Sequence, residues 1–134
     1  MRRFALLFAF LIVCATATAA DDVATAQSII RSQAEAFARD DAAAAYSFAS
    51  PEIHQRFPQA DVFLGIVQNN YAPVYRHKSF EFGEARSADG KIAQQVHIID
   101  ADGVPWEALY TLEQQSDGSL KISGCILIKT GQGV

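Results

Sequence analysis

Three Asp-Gly steps in the second half of the chain limit its fold more than any other feature: Ala88-Asp89-Gly90, Ala101-Asp102-Gly103 and Ser116-Asp117-Gly118. The residues between them alternate apolar and polar, which is the period of strands with one buried face. Each triplet suits a hairpin loop of three residues, a type I turn finishing on glycine in the left-handed region. Four strands joined by three such hairpins make an antiparallel meander. Loop length then sets register, pairing Ser87 with Lys91, Asp100 with Val104 and Gln115 with Ser119. Counting back, Phe82 faces Val96, Phe80 faces Ile98, and Ile98 faces Trp106. Leu112 meets Ile122, Ala108 meets Ile126, and Trp106 meets Ile128. Opposed residues share a face, so one side of the sheet becomes almost wholly apolar. Two-residue loops would turn Ile122, Ile126 and Ile128 away from Trp106 and Leu112, because a one-residue slip inverts a strand.

An apolar sheet face needs a cover, and the residues before Ser79 supply helices. Val23, Ala26, Ile30, Ala34 and Phe37 form one stripe on a helix from about Asp22 to Arg39, with Asp21 or Asp22 as cap. Asp40-Asp41 caps a second, Ala-rich helix carrying Tyr46 and Phe48. Ser50-Pro51-Glu52 starts a third, which Pro58 ends. Asp61 opens a fourth with Phe63, Ile66, Val67 and Tyr71 inward, and Pro73 closes it. The fold class is α+β, with N-terminal helices packed on a curved four-stranded antiparallel meander.

Residues 1–20 belong to neither layer. Met1-Arg2-Arg3 is basic, Phe4 to Val13 is unbroken apolar, and Ala15 to Ala20 is small, followed by Asp21-Asp22. This is the build of a secretory signal peptide cleaved after Ala19 or Ala20, and it leaves one domain over 21–134. The apolar run is shorter than the roughly 20 residues that span a bilayer. Two alternatives stay open, a lipid anchor on Cys14 and an uncleaved anchor. The expected location is exported, periplasmic or secreted, with no membrane attachment after cleavage. Loss of Arg2 and Arg3 leaves 9 basic against 15 acidic residues, a net charge of −6. That balance disfavours nucleic acid as a partner. Only Cys125 of the two cysteines survives cleavage, so the domain stands without an internal disulfide.

Helices followed by a meander that ends in Asp117-Gly118-Ser119-Leu120-Lys121-Ile122-Ser123-Gly124 resemble the nuclear transport factor 2-like fold, whose members commonly show Trp at the place of Leu120. Three segments resemble more closely a family of small exported bacterial proteins catalogued as domain of unknown function 4864. These are Ala36-Phe37-Ala38-Arg39-Asp40-Asp41-Ala42, Tyr71-Ala72-Pro73-Val74-Tyr75-Arg76 and Gly124-Cys125-Ile126-Leu127. The resemblance runs from about Val23 to Lys129. It implies a cone-shaped domain whose sheet and helices enclose a pocket, and it implies no activity.

Candidate sites follow from the register. One polar row crosses the apolar face: Glu84 opposite Gln94, Gln94 opposite Tyr110, and Tyr110 opposite Gly124. Polar groups converging in an apolar cavity suit a small ligand, and a desolvated Glu84 with the Tyr110 hydroxyl would suit proton transfer. Against this, Gly83 can mark a bulge that swings Glu84 into water, and Tyr110 can serve a backbone carbonyl. Tyr71, Tyr75 and Arg76 are candidates for holding an anionic or aromatic ligand at a pocket mouth, or else pack over the helix exit with Arg76 paired to an acid. His54, His77 and His97 lack metal-ligand spacing, and no metal or cofactor is implied. Ile99, Leu109, Cys125 and Leu127 share the outer sheet face, a candidate homodimer surface of the kind relatives with this fold often use. No nucleophile triad, phosphate-binding glycine loop or dinucleotide fingerprint is present. Three functions compete: a noncatalytic module binding a small molecule or partner protein, an acid–base enzyme of isomerase or dehydratase type, and an assembly module.

Overall fold

The computed structural model describes residue 9 and residues 18–130, so the expected signal peptide lies almost wholly outside the described residues. Helix α1 (Ala19–Ala38) buries Ala26, Ile30, Ala34 and Phe37 as the stripe predicts, together with Gln33. Its cap is Thr18 rather than Asp21 or Asp22. The Thr18 hydroxyl accepts from the Asp21 N–H at 3.3 Å while the Asp21 carboxylate accepts from the Thr18 N–H at 3.3 Å, a reciprocal capping box. The helix ends where Asp40 turns to a positive φ of 58°, and Asp41 N–H reaches back to the Ala36 carbonyl. Asp41 then caps α2 (Ala42–Ser47) by accepting from Ala44 N–H at 3.1 Å.

Helix α3 (Pro51–Arg56) carries its proline in the first turn, but the Ser50 hydroxyl makes no capping bond. Helix α4 (Ala60–Asn70) starts one residue before Asp61 and buries Phe63 and Val67. Pro73 does not close it. That helix has ended at Asn70, and Pro73 sits in the first turn of the short α5 (Ala72–Tyr75).

Strands β1 (His77–Ala88), β2 (Lys91–Asp100), β3 (Pro105–Gln114) and β4 (Leu120–Lys129) form the expected antiparallel meander in the order β1-β2-β3-β4. The second and third hairpins have three-residue loops, with Asp100 N–H bonded to the Val104 carbonyl and Gln115 N–H to that of Ser119. The first does not. Ala88 pairs with Lys91, leaving only Asp89 and Gly90, both at positive φ (52° and 75°), in the loop. Two such residues make the mirror-image turn that matches strand twist. The residue released from the loop reappears as a bulge, Gly83-Glu84 against Gln95, so Phe82–Val96 and Phe80–Ile98 still pair as read.

A second bulge changes more. Leu112 pairs with Ile122, yet Thr111 pairs with Gly124, which leaves Ser123 extra on β4. Beyond it every β4 side chain is inverted relative to the expected register. Tyr110 opposes Cys125 rather than Gly124, and Ala108 opposes Leu127 rather than Ile126. Trp106 opposes Lys129 rather than Ile128. Ile126 and Ile128 therefore face solvent, 60% and 57% exposed, while Cys125 and Leu127 pack against the core. Gly124 permits the kink, since a Cβ there would lie 2.9 Å from the Thr111 hydroxyl oxygen.

The core sits between the helices and the inner sheet face, where Ile92, Val96, Ile98, Ala108, Tyr110, Leu112 and Ile122 meet Ala26, Ile30, Phe37, Ala45, Phe63, Val67 and Val74. The segment joining α2 to α3 also docks on β4. Ala49 forms a parallel bridge with Ile122, Ser50 N–H bonds the Ile122 carbonyl at 2.8 Å, and Ile122 N–H bonds the Phe48 carbonyl at 2.8 Å.

Candidate functional site

A cavity of about 320 Å³ opens between α1, α3 and α4 on one side and β3–β4 on the other. That volume lies at the lower end of the range for small-molecule sites. Its deep walls are buried residues of the core, Phe37, Phe63, Val67, Val74, Tyr110 and Ile122. Toward solvent it is bounded by Ile53, Arg56 and Phe57, by Ile66 and Tyr71, and by the bulged stretch Ser123-Gly124-Cys125-Ile126. Helix periodicity explains the first group. Gln33 stands on the buried face of α1, three residues after Ile30 and four before Phe37, and so reaches the cavity with them.

Polar atoms in the lining are few. The Gln33 side-chain nitrogen donates to the Ala45 carbonyl at 3.1 Å, which fixes the amide. Tyr110 and Cys125 face each other across β3–β4, a pairing created by the β4 bulge. Burial holds the Tyr110 phenol well above its usual value, and the neighbouring Cys125 adds to this. Burial likewise pushes the Cys125 thiol up to about 12, although the neighbouring Tyr110 acts the other way. Both groups are thus held neutral at neutral pH, which leaves the Cys125 thiol little thiolate character. The lining holds one charged residue, Arg56, and no Asp, Glu or His.

The expected polar row is not assembled. Glu84 is exposed, and Ala85 takes the place opposite Gln94. Gln94 is fully buried, but its amide serves the bulge. Its nitrogen donates to the carbonyls of Gln95 (2.7 Å), Gly83 (3.2 Å) and Glu84 (3.3 Å), and its oxygen accepts from Gln27 at 3.1 Å. A glutamine so engaged holds backbone rather than ligand. Arg76 donates to the Phe37 carbonyl at 2.8 Å and pairs with Asp40 at 2.9 Å, closing the end of α1, and its guanidinium lies over the Tyr75 ring at 4.1 Å. Tyr75 accepts from Gln68 at 2.9 Å. Neither lines the cavity. Of the six candidates, Tyr71 and Tyr110 do.

Sequence reasoning missed Gln33, Arg56 and Cys125 as lining residues. Gln33 had a signal, a polar residue inside an apolar helical stripe. Cys125 was hidden by the bulge, and Arg56 had none, since only tertiary packing places α3 over the cavity. The outer sheet face is also corrected: Cys125 and Leu127 leave it, Ile126 and Ile128 replace them beside Leu109, and Ile99 is half-buried. His97 lies on that outer face opposite Glu107. Among the described residues no group of three His, Cys, Asp or Glu is placed to hold a metal ion, and no helix is long and apolar enough to cross a membrane.

Comparison with known proteins agrees with this architecture. The family model described as a domain of unknown function, DUF4864, matches residues 19–133. No curated protein matches the chain. Among solved structures, an NTF-2-like protein of unknown function from Silicibacter pomeroyi DSS-3 superposes with a TM-score of 0.60 at 12% identity, covering 84% of this chain and 99% of the other. The likeness establishes the fold.

Proposed function

The chain belongs to the DUF4864 family, whose description names no activity, and from its cavity we propose that it is a noncatalytic module binding one small apolar molecule, exported by its leader. One observation carries this reading: the cavity is walled by aromatic and aliphatic side chains with a handful of neutral polar atoms, its one charged residue, Arg56, standing at the rim. Such a lining favours transfer of an apolar ligand from water and orients it with few hydrogen bonds. The competing acid–base reading needs a carboxylate inside, and Glu84 stands outside, exposed. The test is calorimetric titration of the domain with cinnamyl alcohol, a neutral ligand of suitable shape. Wild-type protein should bind one molecule, and Ile66→Trp, which fills the cavity from its half-buried wall, should weaken binding about tenfold or more. Equal binding by both proteins, or none by the wild type, refutes the proposal.

The outer sheet face supports a second reading, self-association. Leu109 and Ile126 are paired across β3–β4 and both are exposed, with Ile128 two residues further on. Ile126→Lys should then shift a dimer to monomer in sedimentation, and a wild-type monomer would end this reading.

A further inference from the structure

The cavity is asymmetric in charge as well as in depth. Its floor is neutral, formed by Phe37, Tyr110 and Val67, whereas its rim carries Arg56 in the last turn of α3. Arg56 is exposed and takes part in none of the ion pairs or hydrogen bonds among the described residues. Glu52, one turn earlier on the same helix, is not within ion-pairing distance of it. The other arginine considered for ligand contact, Arg76, is committed to Asp40 and to the end of α1. A cation at a helix C-terminus complements the dipole wherever it points. What sets Arg56 apart is that it borders the same cavity as Phe57, Phe63 and Tyr71.

We propose that the site takes a small aromatic carboxylic acid, its ring among Phe37, Phe57, Phe63 and Tyr71 and its carboxylate at the rim on the Arg56 guanidinium. This rests on the cavity reading above and names the ligand class. The ring count of the lining favours an aromatic body, because rings meet edge-to-face or offset at little conformational cost. A planar guanidinium matches a carboxylate in two parallel hydrogen bonds. The rim position lets the carboxylate keep part of its hydration, so the pair forms without the penalty of burying a charge. It also gives the ligand one direction of entry, ring first. The acidic balance of the domain repels anions at long range, so selectivity for the acid comes from this one contact and weakens as salt screens it.

The test compares cinnamate with cinnamyl alcohol, which differ only in the charged head, by calorimetry at low and high salt. Wild type should bind cinnamate about tenfold more tightly than the alcohol at low salt, and the gap should narrow at high salt. Arg56→Gln should bring cinnamate down to the affinity of the alcohol, while Arg56→Lys keeps part of the advantage. A thermal melt confirms that each variant is folded, and substitution at an exposed helix end should leave it so. If acid and alcohol bind wild type equally, or the advantage survives Arg56→Gln, the carboxylate subsite is wrong and the apolar cavity stands. If neither molecule binds, both readings fall.

Discussion

Gln94→Glu exchanges one nitrogen for oxygen at constant volume in a side chain that is 0% exposed, so its effect isolates hydrogen bonding from packing. The amide nitrogen now faces three carbonyl oxygens at 2.7, 3.2 and 3.3 Å. A protonated carboxyl could still donate to one of them, the Gln95 carbonyl, and the loss of the second donor costs about 1 kcal/mol. An ionised carboxylate would set a negative charge against all three oxygens in a site closed to water. The folded chain therefore keeps the proton while the unfolded chain releases it above about pH 4. With the folded value raised, stability is retained below the ordinary carboxyl range and falls as pH rises through it. Holding the proton up to about pH 7 removes roughly 3–4 kcal/mol, a large part of what a domain of this size possesses. Wild-type protein should change little over the same range, because Asp100 and Asp117 are held below their usual values and their contributions are complete above the carboxyl range. Urea unfolding followed by emission of Trp106, the one tryptophan, measures both at about pH 4.5 and about pH 7.5. A variant whose stability parallels wild type to within about 0.5 kcal/mol would show that the amide does not hold the bulge.

Three further outcomes test other parts of the structure. The Asp100 carboxylate accepts from Trp106 Nε1 at 2.9 Å and from the Val104 and Asp102 N–H groups, so its contribution is present above the carboxyl range and lost as pH falls through it. Asp100→Asn should flatten the acid limb of melting temperature against pH, and an unchanged slope would count against those bonds. Cys125, with its thiol near 12, should resist a thiol reagent at about pH 8 until the protein is unfolded, whereas native labelling within seconds would mean an open cavity wall. Leu127→Lys should cost about 2 kcal/mol or more and Ile126→Lys less than about 0.5, measured by urea melts, and the reverse order would restore the register without the β4 bulge.

Most of the architecture could be read from periodicity. The helical stripe of Ala26, Ile30, Ala34 and Phe37 and the second and third Asp-Gly loops act through local rules, and the structure follows them. The first hairpin shows why a right answer can come from a wrong loop. Its shorter turn and its bulge at Gly83 cancel, leaving Phe80 and Phe82 where a three-residue loop would put them. The same bulge moved Glu84 into solvent and removed the carboxylate from the site. In β4 nothing cancels the extra Ser123, and faces invert for the rest of the strand. Ser123-Gly124 offered a hint, since glycine inside a strand pattern often marks such a place. Which strand bulges, and whether a loop compensates, depends on contacts such as Gln27 with Gln94 that join residues far apart in sequence. Arg56 illustrates the remainder: its position at the cavity rim exists only once α3 is laid across β4.

The backbone bonds that tie residues 48–50 to Ile122 have a consequence for the order in which the molecule is completed. The helices come first along the chain, yet the stretch that orients α3 has no partner until the C-terminal strand arrives. Synthesis delivers that strand after the helices. The cavity is therefore finished only once β4 is in place, and a chain clipped before Ile122 would retain its helical sequence while lacking the strut that makes those helices into a wall.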